Sequence, residues 1–316
     1  MGQISNKMLT EVRTTLSRPI INIADIRKAK KNAQAKLKTV KSVENFLKEG
    51  HTHDEAIYGN TQHLASMLSE DLIMIDPLDH MYRFWVKMED LHMPAFPPIS
   101  PMTRTYFFYW THFDASFGSD NETFGNCLLN LVGEYGINPD QKKALQNFCE
   151  SRMGIYEVVD TPSVDRCAVR ELVTNCHLDV QLRSGYNGKR GDIIFMRLLP
   201  SLSDGNMHYG VTTPYQLEGY SKSDWLNYFA RQNIVPGIKD AEEKLYRLFK
   251  YGNGDNEYWS EFVCLAYLNY RSDAIFLCGL PDKKSTWRHH DSFNALANYN
   301  AAALKAISLG CLHGRK

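Results

Sequence analysis

From residue 154 to residue 217 the chain reads as one strand after another, with helical text on both sides. The runs 155–159, 169–173, 178–182, 193–199 and 207–211 are short and rich in Val, Ile, Leu and aromatic residues. Thr174-Asn175-Cys176-His177 is placed to turn the second run back on the third, and Gly185, Gly188 and Gly191 punctuate the next connection. Ser203-Asp204-Gly205-Asn206 turns the chain into the fifth run. The run 193–199 is apolar on both faces, which predicts a central strand covered on each side. Five short strands with glycine-bearing turns fit a small, strongly curved sheet or barrel. The expected class is α+β, with helical N- and C-terminal segments flanking that unit. The expected division is a basic helical segment over 1–93, two helices and the barrel-like unit over 104–217, and a helical domain over 220–316.

The helical readings rest on period and caps. Ile26, Ala29, Ala33, Leu37, Val40, Val43 and Leu47 step by three or four, which predicts one long helix from Asn22 to a stop at Gly50. Thr52-x-x-Glu55 is a capping box opening a helix through Ile57, Leu64, Met67 and Leu68. Asp76-Pro77 and Asp79 break that helix, and 81–86 resumes an apolar segment. Pro94, Pro97, Pro98 and Pro101 mark a linker and the first boundary. The aromatic run 106–114 follows; it offers stacking surface, yet a continuous apolar run is in the first place core. Asp120 is expected to cap a helix through Phe124 and Leu128, and Asn138-Pro139 to start another reaching about Arg152. Ser221-x-x-Asp224 and Asp240-x-x-Glu243 open two further helices, and others are expected near 257–270 and 292–309.

Charge is uneven along a chain whose total is zero. Residues 1–42 carry ten Lys and Arg against Glu11 and Asp25, a net of +8, which leaves −8 on the other 274 residues. A basic arm on an acidic body points to an acidic partner or to an intramolecular dock. Arg27, Lys28, Lys30, Lys31, Lys36 and Lys38 concentrate that charge beside the apolar stripe, as phosphate contacts would require. A second basic tip, Arg183 with Lys189 and Arg190, lies between strands, where small barrels present loops to single-stranded nucleic acid. The seven cysteines are scattered without short paired spacings, which suits free thiols in a reducing, cytoplasmic setting. No stretch reaches the roughly 20 apolar residues of a membrane span, and no apolar secretory core opens the chain. Met-Gly-Gln-Ile-Ser-Asn departs from a myristoylation start at Asn6.

The ordered set Trp110-x-x-Phe113-Asp114, the Asn-Pro helix start, Tyr-Glu-Val-Val at 156–159, Arg-Glu-Leu-Val-Thr at 170–174 and Gly-Asp-Ile-Ile-x-x-Arg-Leu-Leu-Pro at 191–200 resembles a family. It is similar to the uncharacterised bacterial proteins often joined to a SEC-C zinc-binding motif, over about 104–217. The resemblance implies zinc only where the terminal cysteine motif is present. Here Cys311 and His313 stand alone, so no metal and no cofactor is expected from it. The family supplies no catalytic residue to carry over.

Catalytic constellations are thin. Cys176 and His177 are adjacent on a strand and so point to opposite faces, and Cys167 lies nearby. His51 and His53, or His289 and His290, could serve a metal-dependent hydrolase. Thr52 and Glu55 are already explained as a cap, and Arg288-His289-His290-Asp291 reads as a loop before a helix. No glycine loop has the lysine and strand-to-helix context of a phosphate cradle. The leading expectation is a non-enzymatic binding or adaptor protein that contacts nucleic acid or an acidic protein through the basic N-terminal helix and the 183–190 loop. A metal-dependent hydrolase and a structural scaffold are the alternatives.

Overall fold

The structure is a computed structural model describing residues 2–17, 40–72, 79–92, 104–117, 119–132, 137–203, 205–217 and 221–251. Five strands close a barrel: β3 (Met153–Ser163), β4 (Arg166–Glu171), β5 (His177–Leu182), β6 (Ile193–Pro200) and β7 (Met207–Gly210). Going round it the order is β3-β4-β5-β7-β6, and β6 pairs back onto β3. Every pairing in the ring is antiparallel except β5 with β7, which is parallel. A two-residue strand, β8 (Tyr215–Gln216), adds to the free part of β6. A separate two-stranded ribbon joins β1 (Ser116–Phe117) to β2 (Glu122–Thr123).

β6 is the central strand its two-faced pattern requires. Its seven residues Ile193 to Leu199 are all buried. Ile194, Met196 and Leu198 point into the barrel with Tyr156, Val158, Cys167, Val169, Val180 and Leu182. Ile193 and Phe195 face out into a second core, and Leu199 faces a third. The hairpin of β4 and β5 begins two residues earlier than its sequence suggests. Leu172 and Val173 leave the strand and bury outside the barrel, while Asn175 takes the left-handed conformation (φ 57°) that closes the turn.

Helices clothe the barrel. Those before it are α1 (Gln3–Ser17), α2 (Val43–Lys48), α3 (His53–Leu72), α4 (Asp79–His92), α5 (Arg104–Phe113), α6 (Phe124–Leu131) and α7 (Pro139–Glu150); α8 (Lys222–Arg231) and α9 (Ala241–Tyr251) follow it. One outer core joins Tyr106 and Trp110 of α5, Trp225 and Phe229 of α8, and Leu245, Leu248 and Phe249 of α9 to the barrel wall. The other joins Met8 of α1 and Ile57, Tyr58, Met81 and Trp85 of α3 and α4 to α5, α6, α7, Leu199 and Tyr209. The aromatic run 106–114 is thus helix α5, and its Tyr106, Tyr109, Trp110 and Phe113 are core.

Local chemistry sets the helix starts. Asn138 and Gln141 exchange hydrogen bonds in a capping box ahead of Pro139, and Ser221 and Asp224 do the same for α8. Thr52 and Glu55 exchange theirs at the start of α3. Two expectations need correction. α6 is capped by Thr123, not Asp120; Asp120 instead accepts from the Gln3 amide at 2.7 Å. The single helix from 22 to 50 does not run through its last third. Lys41 and Ser42 are non-helical, because the Lys41 amide donates to His63 Nδ1 and its carbonyl accepts from Asn60 Nδ2, both on α3. Ser42 then caps the six-residue α2, whose buried residue is Phe46, while Leu47 of the expected stripe is exposed. The rest of that expectation, with Arg27, Lys28, Lys30, Lys31, Lys36 and Lys38, lies outside the described residues. So do His289, His290 and the helices expected beyond residue 251.

Candidate functional site

A cleft of about 1010 Å³ opens between the helices and one end of the barrel. Its walls come from four places. α3 contributes Glu55, Gln62, His63 and Glu70; α4 contributes Tyr82, Trp85, Val86 and Glu89. α5 contributes Arg104, Phe107 and Phe108, and the barrel contributes Arg183 and Ser184 after β5 with residues 209–213 at the end of β7. Lys41 and Phe46 close the side next to α2.

The amphipathicity of α4 and α5 explains the wall. On α4, Met81 and Trp85 turn into the core, and Tyr82 and Val86, one residue later, turn outward at 43% and 40% exposure. On α5 the core takes Tyr106, Tyr109, Trp110 and Phe113, which leaves Phe107 and Phe108 half-buried at the cleft. The floor is a stack: the Trp85 and His112 rings lie 4.7 Å apart at 18°. Trp85 donates its indole N–H to the Thr111 carbonyl at 3.1 Å. His112 Nδ1 lies 3.0 Å from the Phe108 carbonyl, so the neutral ring donates there, and its Nε2 is buried without a partner among the described residues. Burial holds His112 far below its usual pKa, at about 3, with the Phe108 carbonyl opposing only in part.

Charge within the described lining is balanced, three cations against three carboxylates. Lys41 pairs with Glu49 and sits 4.3 Å over the Phe46 ring. Arg104 lies 3.8 Å from Glu89. Glu55 is held by the Thr52 amide at 2.8 Å. Arg183 is exposed and pairs with no carboxylate among the described residues. The loop that follows it is built by geometry rather than by charge. Asp192 accepts from the Tyr186 hydroxyl at 2.7 Å and from the Lys189 amide at 2.9 Å. A Cβ on Gly188 would sit 2.0 Å from that hydroxyl, and Gly191 has φ +89°. Lys189 and Arg190 are exposed on this loop but do not line the cleft.

The structure therefore brings Arg183 into a cleft and leaves Lys189 and Arg190 exposed on the loop that follows, outside the lining. Sequence reading missed Tyr82, Arg104 and Lys41 as cleft residues. The signal for Tyr82 was present: it falls one position off the Met81–Trp85 stripe. No local signal announces that Lys41 would be drawn to the cleft through α3.

A second polar constellation is fully buried behind the barrel wall. Asp114, Arg197 and Lys250 are 0%, 0% and 2% exposed. The Arg197 guanidinium donates to Asp114, and to Ser151 Oγ at 3.0 Å. Lys250 Nζ donates to the Cys149 and Ser151 carbonyls at 2.6 and 2.8 Å, and lies 3.1 Å from Asp114 Oδ1. Burial pushes the Lys250 ammonium below its ordinary pKa, and Asp114 pulls it back. Through these contacts the three side chains tie the C-terminal ends of α5 and α7 to β6 and α9.

Histidine and cysteine chemistry does not assemble among the described residues. No group of three His, Cys, Asp or Glu side chains is placed to hold a metal ion. His51 lies 3.8 and 3.9 Å from Glu49 and Glu55 at a helix start, and His53 points to solvent. Cys167 is inside the barrel with its thiol pushed up to about 11 by burial, whereas Cys176 and His177 are exposed. Cys176 Sγ approaches the His177 carbonyl, not its ring. No helix among the described residues is long and apolar enough to cross a membrane. No protein-family model, curated protein or solved structure matches this chain.

Proposed function

We propose that this chain is a non-enzymatic binding or adaptor protein that contacts an acidic partner at the cleft, using the basic segment 27–38 together with Arg183. The observation that carries the reading is that Lys41 and Arg183 line the same cleft. Lys41, which follows the basic segment, and Arg183 come to one site from far apart in sequence. Lys38 is tethered three residues from Lys41 and Lys36 five, so an extended chain keeps them within roughly 11 and 18 Å of it. The basic segment 27–38 is thus joined through Lys41 to a cleft whose described lining is neutral. Lys189 and Arg190 add exposed positive charge on the loop that follows Arg183. A closed five-stranded barrel with one parallel pair is also an architecture whose loops and strand faces bind oligonucleotides. Free thiols and the partner class both suit a cytoplasmic setting.

Salt-dependent retention on a heparin column tests this. The wild-type chain is expected to be retained and to elute with rising salt, because cation contacts to a polyanion exchange counterions. Replacing Lys28, Lys30 and Lys31 together by Glu is expected to abolish retention. Unchanged retention of that variant would overturn the role given to the segment.

A further inference from the structure

The charge balance and the aromatic wall of the cleft point further, to the class of partner. Resting on the acidic-partner reading, we infer that the cleft is a binding site for single-stranded nucleic acid. Unpaired bases stack on Tyr82, Phe107 and Phe108, and the sugar-phosphate backbone runs past Arg183.

Three observations support this class over an acidic protein. First, Glu55, Glu70 and Glu89 balance Lys41, Arg104 and Arg183 in the lining, so its interior suits an uncharged planar group, with the partner's charge kept to the rim. Bases are neutral and planar. Second, three aromatic side chains present open or half-open faces there, with Tyr82 at 43% exposure. Aromatic faces of this kind are stacking platforms for bases of any identity. Third, the cation without a described carboxylate partner, Arg183, stands on the barrel side across from those rings. An anionic backbone with bases projecting from one edge matches that division between ring wall and cationic rim. The volume of about 1010 Å³ lies at the upper end of ligand clefts, about 300–1,000 Å³. Duplex bases are already stacked and paired, so they cannot enter; the site discriminates strandedness rather than sequence.

The test uses fluorescence anisotropy with the full chain and four probes: a dye-labelled oligothymidylate, a labelled duplex of the same length, labelled heparin and labelled polyglutamate. The single strand is expected to bind more tightly than the duplex. Tyr82→Ala is expected to weaken single-strand binding about five- to 150-fold, the range of one lost stacked base, with the salt slope unchanged. Tyr82→Phe should restore it. Arg183→Gln should weaken binding and lower the salt slope by about one phosphate contact. Heparin binding should be indifferent to Tyr82→Ala.

Equal binding of single strand, duplex and heparin, with Tyr82→Ala silent on all three, would overturn this inference and leave the acidic-partner reading standing. Binding of polyglutamate without either nucleic acid would also overturn it, and would identify an acidic protein as the partner. Failure of all four probes would remove both readings together.

Discussion

Where α5, α7, β6 and α9 meet, two buried cations share one carboxylate, and the surplus positive charge faces the carbonyl end of α7. Those carbonyls are the unsatisfied acceptors of a helix C-terminus and carry its partial negative charge, so Lys250 acts as their cap. Asp114→Asn strips the only formal anion from the cluster. It is expected to destabilise the fold by about 3–5 kcal/mol in urea unfolding, since two cations are then left buried without a counter-charge. Lys250→Met leaves the Arg197–Asp114 pair intact and removes the cost of burying an ammonium, so it is expected to cost clearly less than Asp114→Asn. Equal losses in the two variants would refute that ordering. At the cleft floor, His112 supplies a pH dependence with a definite sign. Its folded pKa, about 3, lies below the ordinary value of 6.5, so between these limits the unfolded chain binds a proton that the folded chain refuses. Stability is therefore complete above about pH 6.5 and drains away as pH falls toward 3, at up to roughly 1.4 kcal/mol per pH unit. His112→Phe should flatten the wild-type curve over that window, and a curve as steep as the wild type's would show that His112 is not its source.

Elements here are decided by their ends. Asn138→Ala removes a cap that satisfies the Gln141 amide and is expected to cost about 1 kcal/mol, read as a lower urea midpoint at unchanged slope. Gly188→Ala is expected to break the Tyr186–Asp192 bond and to raise amide exchange across 185–192, because the added Cβ has no room beside that hydroxyl. Capping boxes were legible in the sequence because donor and acceptor sit three residues apart, as at Thr52 and Ser221, and Asn138 was legible as a cap from the proline that follows it. The five barrel strands were legible for a similar reason, since their alternation and glycine turns are local. The end of the helix expected from 22 to 50 was not legible. Its apolar period continues smoothly through Val40, and what interrupts it is a pair of hydrogen bonds from α3, some twenty residues downstream. The N-terminal helix α1 shows the same limit. Ile4, Met8 and Val12 carry a helical period, yet its first turn is held by the Glu122 carboxylate, which accepts from the Ile4 and Ser5 amides. The cleft was half legible: the aromatic run of α5 showed both stacking and core character, and the helix divides it between the two by face.

On the scale of the molecule, one interior core fills the barrel and two outer cores, which meet at β6 and at Phe84, fasten helices to its wall. The cleft lies on the α3–α5 side, where Tyr82 is exposed and Phe107 and Phe108, each packed against an outer core, are only half-buried. This arrangement divides labour. On the proposed reading, the basic segment supplies attraction and the neutral, ring-lined cleft supplies selectivity. Reversing the charge of Lys36 and Lys38 should therefore lower affinity for every polyanion alike, without altering the preference for single over double strand, as anisotropy titrations would show. Hydrogen exchange with and without a saturating oligothymidylate locates the surface that the strand covers. The expected result is slowed exchange at residues 82–86, 104–109 and 183–186. Protection confined to the outer face of β4 and β5, with the cleft segments unchanged, would contradict the cleft as that surface.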